Sequence, residues 1–141
     1  MTLEQGFWLA HVPALVGWIA LLAAPLIGPA VRIARVAAAV LALGYLLLFL
    51  AAPDGLRALA HDYSLAGIGA LFSDPRALLL GWVHYLAFDL WVASWELEEG
   101  RRLGMSHLLV APAIFLTIML GPLGLLLFLA LRAWKGRAVA G

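Results

Sequence analysis

The sequence predicts an all-α integral membrane protein that crosses the bilayer four times. Of its 141 residues, 65% are hydrophobic and 12% are charged, and the mean hydropathy is +1.03. A soluble domain has about half apolar and about a quarter charged residues, so the chain is too apolar for that class. Four apolar runs, each long enough for the ~20 residues that a membrane-crossing helix needs, predict a four-helix bundle.

Composition also narrows the kinds of function. The net charge of +1 gives no support for a nucleic-acid partner. The lack of cysteine excludes disulfides, thiolate catalysis, iron–sulfur clusters and cysteine-ligated zinc. The length of the chain favours a single integral membrane domain over residues 1–141. We expect no cleavable targeting segment, because Glu4 is the only charged residue before the first apolar run.

The first two predicted spans cover residues 3–24 and 31–52. Pro13 lies within the first span and should kink it, because proline removes one backbone hydrogen bond. Prolines and glycine at 25–29 end that helix. Small residues in the second span, mostly alanine, favour a close approach between helices.

Residues 53–75 form the longest connection between predicted spans. We expect a short interfacial helix at about 54–59, followed by a glycine-bearing loop. A connection of this length is often a functional lid, and an amphipathic connector on the membrane surface is the alternative. Asp74 followed by Pro75 predicts a helix start, because aspartate caps a helix well and proline suits the first helical position.

The third and fourth predicted spans cover residues 76–94 and 106–131, joined by a charged connector at 96–104. The glycines and proline at 121–124 should break the fourth span. A broken helix needs neighbouring protein or water for its freed backbone groups, so the break should lie inside the bundle. Four crossings place both termini on one side of the membrane, and the basic C-terminal tail favours the cytoplasmic side.

The candidate site is in the third span, where His84, Tyr85 and Asp89 interrupt an apolar run. A charged aspartate costs roughly 2.5–3.5 kcal/mol at the centre of a helix in lipid. A span could be built from leucine at lower cost, so polar residues here indicate a functional site. The third span should therefore face the bundle interior with these three side chains.

Helical geometry sorts the same stretch into two faces. At about 100° per residue, one face carries Trp82, Tyr85, Asp89 and Glu96. A neighbouring aromatic stripe carries His84, Phe88, Trp91 and Trp95. His84 and Asp89 point about 140° apart on an ideal helix, so each must find its partners on other helices.

Several motifs along the chain resemble one known family. They are Pro13-Ala-Leu-Val-Gly-Trp18, Leu71-Phe-Ser-Asp-Pro75, the stretch 81–90, Arg101-Arg-Leu-Gly104 with Ser106-His-Leu-Leu109, and Gly121-Pro-Leu-Gly124. Together they resemble the abscisic-acid-deficient-four-like family of small membrane proteins, and this chain is similar to its bacterial-type members. Plant members are required for neoxanthin synthesis, in which the epoxide of violaxanthin is opened to an allene. The resemblance implies a bacterial inner-membrane protein of carotenoid metabolism.

The resemblance further implies a neoxanthin synthase-like isomerase, acting on an epoxy-carotenoid or a related polyprenyl lipid. Opening an epoxide to an allenic alcohol requires one proton for the epoxide oxygen and removal of another from a nearby carbon, without a redox centre. Asp89 and His84 are the candidate acid and base, and Tyr85 is a hydrogen-bonding group or second acid. The candidates for contact with a long apolar substrate are Trp82, Phe88, Trp91 and His11.

Other interpretations stay open. Asp89 and His84 could serve only to lock helices together through hydrogen bonds. A non-enzymatic carotenoid- or lipid-binding protein, or an accessory subunit of a pigment-bearing membrane complex, would use the same aromatic residues, and the chain could form a homo-oligomer. His84 and His11 could be axial haem ligands on two helices. A metal site is weaker, because its candidate ligands lie on different faces of one helix. We expect neither a cofactor nor a metal.

We expect the site to open between the third span, the break at 121–124 and the kink near Pro13. Carbonyls freed at a break and buried polar side chains can satisfy one another there. The connection at 53–75, with His61, Asp62 and Tyr63, would then cover one end as a lid.

Overall fold

The computed structural model describes residues 2–51 and 62–140, with side chains described up to residue 136. Within this part of the chain there are six α-helices and no strands. They are α1 (Leu3–Leu22), α2 (Ala30–Ala51), α3 (Leu65–Phe72), α4 (Pro75–Arg102), α5 (His107–Leu120) and α6 (Pro122–Ala140). The prediction of an all-α fold is confirmed.

Among the helices of the described residues, three are long and apolar enough to cross a membrane, namely α1, α2 and α4. The first two lie close to the spans expected at 3–24 and 31–52. The third is longer than expected, because α4 continues to Arg102 through the residues predicted as a charged connector. In this helical extension, ion pairs neutralise two carboxylates: Glu98 pairs with Arg35, and Glu99 pairs with Arg102 and Arg132.

The three spans all contact one another, and α1 and α4 run parallel while α2 runs antiparallel to both. Gly17 of α1 lies against Leu90 of α4, where an added Cβ would be 2.6 Å from the leucine side chain. Contacts at both ends of α4 fix the direction of α2. They are the pair between Arg35 and Glu98 at one end and the ring contact between Tyr45 and His84 towards the other.

The fourth predicted span does not cross the bundle. Its first half, α5, runs antiparallel to α4 and packs closely on it. Val110 near the start of α5 contacts Gly100, and Gly121 just after its end lies beside Asp89, midway along α4. At 14 residues, α5 is about 21 Å long, less than the ~30 Å hydrocarbon core.

The chain then reverses, and α6 returns along the same part of α4. Phe128 of α6 packs edge-to-face on Trp95, with ring centroids 5.2 Å apart. Further on, Arg132 Nε lies 2.9 Å from Glu99 Oε1. We call α5 and α6 together the hairpin. Four crossings with both termini on one side are not confirmed, because the hairpin brings the chain back towards the end of α4 from which it entered.

Two glycines and a proline build the tip of the hairpin. Gly121 has a φ of 45°, a conformation that side chains other than glycine rarely adopt. Pro122 opens α6 and suits the first helical position. Gly124 lies so close to α5 that an added Cβ would collide with the backbone nitrogen and Oγ1 of Thr117. The break expected at 121–124 is therefore a reversal of direction.

The described part of the 53–75 connection lies at the start of α4. The interfacial helix expected at 54–59 falls outside the described residues, as does His61. The expected glycine-bearing loop is helical from Leu65, because the Ser64 hydroxyl accepts a hydrogen bond of 3.1 Å from the nitrogen of Gly67 and so caps α3. The helix start predicted at residue 74 is confirmed, because the Asp74 side chain caps α4.

Candidate functional site

The polar face of α4 is covered along only half of its length. Leu78, Trp82, Tyr85, Asp89 and Glu96 follow one another on this face. Exposure falls from 56% at Leu78 and 37% at Trp82 to 0% at Glu96. The hairpin covers the face from Asp89 onwards. We call the uncovered stretch from Leu78 to Tyr85 the open face.

The hairpin tip rests on the Asp89 carboxyl group. A Cβ built at Gly121 would lie 3.2 Å from Asp89 Oδ1. The Tyr85 hydroxyl, one turn below, donates a hydrogen bond of 3.3 Å to the Ile118 carbonyl. The Ile118 carbonyl is free to accept it, because its helical partner four residues on is Pro122, which has no N–H.

Asp89 Oδ2 is buried and has no hydrogen-bond partner among the residues that the structure describes. The carboxyl group therefore has one oxygen against the tip of the hairpin and one without a protein donor. A buried polar atom without a partner is costly, and such groups often mark functional sites. The Asp89 carboxyl and the Tyr85 phenol therefore lie side by side midway along α4, where the open face begins.

Glu96 is the most deeply buried acidic side chain of this face. The Thr117 hydroxyl of α5 donates a hydrogen bond of 2.8 Å to Glu96 Oε1, and both side chains are fully buried. Its other carboxyl oxygen has no partner within the described residues. The sequence pattern put Glu96 on the right face but in a solvated connector. The sequence pattern of α4 could not predict this burial, because the side chains that bury Glu96 belong to the hairpin.

Trp82 and His11 lie next to Tyr85 on the open face. Trp82 Nε1 donates a hydrogen bond of 3.3 Å to His11 Nε2, and His11 Nδ1 lies 2.7 Å from the Phe7 carbonyl. Because Nε2 accepts, Nδ1 carries the proton and donates to that carbonyl. The rings of Trp82 and Tyr85 are 5.6 Å apart between centroids. Of the sequence-predicted residues, the structure brings together Tyr85, Asp89, Trp82 and His11.

The other sequence-predicted residues lie on a different side of α4. His84 is exposed, stacks on Phe88 at 4.5 Å and lies 5.9 Å from the Tyr45 ring. Trp91 lies beneath the Arg35 guanidinium, 5.4 Å from its ring centroid. The expectation that His84 faces the bundle interior was wrong. The five-residue spacing turns it away from Asp89, and α2 covers only part of that side.

Pro13 of α1, where a kink was expected, does not join the hairpin tip. Pro13 instead lines an apolar groove between α1 and α2 of about 350 Å³, together with Gly44, Leu48 and Val83. Of the three elements expected at the site, α4 and the hairpin tip meet at Asp89, and α1 contributes His11 but not Pro13. Within the described part of the chain, no three metal-ligating side chains converge.

Comparison with known proteins identifies the family. The sequence model of the family described as ABA4-like, ABA DEFICIENT 4-like, matches residues 5–128 of the 141. No curated protein and no solved structure matches the chain. The family is associated with membrane proteins of the carotenoid and abscisic acid pathway. The match runs from the first turn of α1 to the first half of α6, and the chain belongs to the ABA DEFICIENT 4-like family.

Proposed function

We propose that this protein is a membrane isomerase that opens an epoxy-carotenoid, or a related polyprenyl-lipid epoxide, by acid–base catalysis. The observation that carries the proposal is the pair of Asp89 and Tyr85 at the tip of a hairpin that stops midway along α4. The family's association with the carotenoid pathway supports the substrate class. We also propose that the protein lies in a bacterial inner membrane, the location implied by the resemblance of its sequence.

The open face supports a lipid substrate that enters sideways from the bilayer. Leu78 and Trp82 are exposed on the same face that ends at the partly buried Asp89. A long apolar molecule lying along this face would bring one end to the carboxyl group without passing through water. Trp82 and His11 would contact its chain, whereas Phe88 and Trp91 lie too far round the helix for this role.

The mechanism uses Asp89 first as an acid and then as a base. Its carboxyl group gives a proton to the epoxide oxygen as the carbon–oxygen bond breaks, and the Tyr85 hydroxyl donates a hydrogen bond to the same oxygen. The resulting carboxylate removes a proton from the neighbouring carbon, whose electrons form the new double bond. One proton leaves Asp89 and one returns, so the reaction balances as an isomerisation. His84, on the other side of α4, takes no part.

The test uses purified protein in lipid nanodiscs, an epoxy-carotenoid and chromatography of the products. We expect conversion to an isomer of equal mass and a loss of roughly 10²-fold or more in rate for Asp89→Asn, the usual effect of removing a general acid–base. His84→Asn is the matched control and should keep the wild-type rate. Unchanged turnover in Asp89→Asn, with protein that folds normally, would refute the role of Asp89.

A second candidate is a carotenoid-binding protein without catalysis, alone or as a subunit of a pigment-bearing complex or homo-oligomer. The aromatic lining of the open face favours it, because Phe7, His11, Trp82 and Tyr85 form a continuous set of ring contacts. Purification from a carotenoid-producing host separates the two. A retained visible carotenoid spectrum with no turnover supports binding alone, and the mass in detergent gives the oligomeric state.

A further inference from the structure

A second groove lies on the outer surface of the bundle, away from Asp89. It runs between α1 and α2 and has a volume of about 510 Å³. Its walls are apolar and comprise Val12, Pro13, Val16, Ile33, Val36, Ala37 and Val40. The remaining lining residue is Arg32, near the start of α2. An apolar channel with a single cation at its mouth is complementary to a lipid that has an apolar chain and an anionic headgroup.

The dimensions of this groove suit one leaflet of a bilayer. From Arg32 to Val40 the lining extends over eight residues of α2, about 12 Å along the helix axis. Half of a ~30 Å hydrocarbon core is about 15 Å. An acyl chain that begins beside Arg32 would therefore fill the groove almost to the middle of the membrane.

A wider cavity adjoins the mouth of the groove on the other side of Arg32. It has a volume of about 720 Å³ and is lined by Gly28, Pro29, Arg32, Arg35 and Glu98, among others. The Glu98 carboxylate in this cavity is held by both terminal nitrogens of Arg35, at 3.2 and 2.6 Å. Because those two charges cancel, Arg32 supplies the net positive charge of the cavity.

Arg32 has no ion-pair partner among the described residues, and its side chain is exposed. The neighbouring basic side chains are engaged, since Arg101 donates to the Ala24 carbonyl and both Arg102 and Arg132 pair with Glu99. Guanidinium groups bind phosphate oxygens well. Among the described arginines at this surface, Arg32 alone has a guanidinium that binds neither a carboxylate nor a carbonyl, and it lies at the mouth of the apolar groove.

We infer that this groove is a binding site for an anionic phospholipid. The phosphate of the lipid contacts Arg32, the headgroup occupies the cavity lined by Gly28 and Pro29, and one acyl chain lies between α1 and α2. The site is separate from the open face, so the inference does not depend on the proposed isomerase activity.

The test measures lipid binding to the whole protein in nanodiscs of phosphatidylcholine. Phosphatidylglycerol is added, and the rise in melting temperature and the lipid retained in native mass spectrometry are recorded. We expect Arg32→Gln to weaken phosphatidylglycerol binding about fivefold, the usual effect of one basic residue at an anionic membrane surface. Arg32→Lys should retain most of the binding. Arg76→Gln, at the start of α4, is the matched control and should match wild type.

A groove-filling variant tests where the acyl chain lies. Val36→Phe should reduce phosphatidylglycerol retention, whereas Leu43→Phe, an exposed position on α2 that does not line this groove, should leave retention unchanged. Equal binding by wild type, Arg32→Gln and Val36→Phe would overturn the inference. Equal stabilisation by inorganic phosphate alone would also overturn it, because the site would then bind an anion without using the groove.

Discussion

Glu96 shows what a single buried carboxyl group requires in this protein. It is fully buried, no cation contacts it among the described residues, and its one hydrogen bond comes from Thr117 on the hairpin. Burying a charged group without a counterion is expensive, whereas a hydrogen-bonded neutral group is tolerated. The Thr117 hydroxyl is thus a specific link between α4 and the hairpin, in a region otherwise filled by apolar contacts.

We predict that Glu96→Gln and Glu96→Ala differ clearly in stability. The amide can still accept the Thr117 hydrogen bond, so Glu96→Gln should melt close to wild type. Glu96→Ala leaves the Thr117 hydroxyl unpaired and opens a cavity, and should cost about 1–3 kcal/mol. Thermal unfolding in detergent measures both. Equal losses in the two variants would mean that the hydrogen bond contributes nothing.

Tyr85 provides a second residue-scale prediction. Its hydroxyl satisfies the Ile118 carbonyl, which has no helical donor because of Pro122. Tyr85→Phe should therefore cost about 0.5–1.5 kcal/mol of stability, as well as slowing turnover. Tyr45→Phe, on α2, is the control. Turnover that falls with no change in melting temperature would assign Tyr85 to the chemistry alone.

The sequence was sufficient to place Tyr85 and Asp89 on one face, because 100° per residue relates positions within one helix. It could not identify their partners, which depend on how helices distant in sequence pack. Thr117 lies 21 residues from Glu96, and Ile118 lies 33 residues from Tyr85. His84 was misplaced for the same reason: it contacts the rings of Phe88 and Tyr45 on another side of α4 and stays exposed.

At the scale of elements, the hairpin depends on how closely α5 and α6 approach. Gly124 lies against the backbone of Thr117, and Gly121 takes a positive φ of 45° at the turn. Thr117 also binds Glu96, so the same turn of α5 contacts both α6 and α4. Small residues that let helix backbones meet are a common basis of packing in membranes.

Gly124→Ala should therefore disrupt the hairpin. The added Cβ meets backbone atoms, which cannot move aside as a flexible side chain could, and the cost should be at least about 1–3 kcal/mol. Gly136→Ala is the matched control, because nothing lies within 4 Å of a Cβ at that position of α6. Limited proteolysis and thermal unfolding report the loss of docking. Equal stability of the two variants would contradict this account of the tip.

The break at 121–124 could be predicted from its glycines and proline, but the direction of the chain after it could not. A kinked span and a reversing hairpin need the same residue types, and hydropathy is similar in both. The difference appears in contacts: Phe128 with Trp95, and Arg132 with Glu99. A charge pair that places Arg132 level with Glu99 is incompatible with a second half-span that continues across the membrane.

For the whole molecule, the hairpin changes how charge is distributed between the two membrane surfaces. Of the nine lysines and arginines, Arg76 starts α4 and Arg57 lies outside the described residues. The other seven lie at or beyond the opposite end of α4, and they are Arg32, Arg35, Arg101, Arg102, Arg132, Lys135 and Arg137. Cytoplasmic segments of membrane proteins are enriched in basic residues, so this end should face the cytoplasm.

We predict that the two termini lie on opposite sides of the membrane, with the C-terminus in the cytoplasm. The chain has no cysteine, so single cysteines at Gln5 and Gly136 can be labelled without a background signal. A membrane-impermeant thiol reagent added to intact cells should label the first and not the second. Labelling of both, or of neither, would restore the four-crossing topology expected from hydropathy alone.

Because the hairpin is synthesised after the three spans, Asp89 and Glu96 are covered only once it has docked on α4. The three spans can enter the bilayer first, and until α5 docks, Asp89 and Glu96 face lipid at a cost that the finished protein does not bear. A chain truncated after Arg102 would keep three spans but no covered carboxyl group. Such a product would leave both carboxyl groups facing lipid, so we expect it to be less stable in the membrane than the full chain.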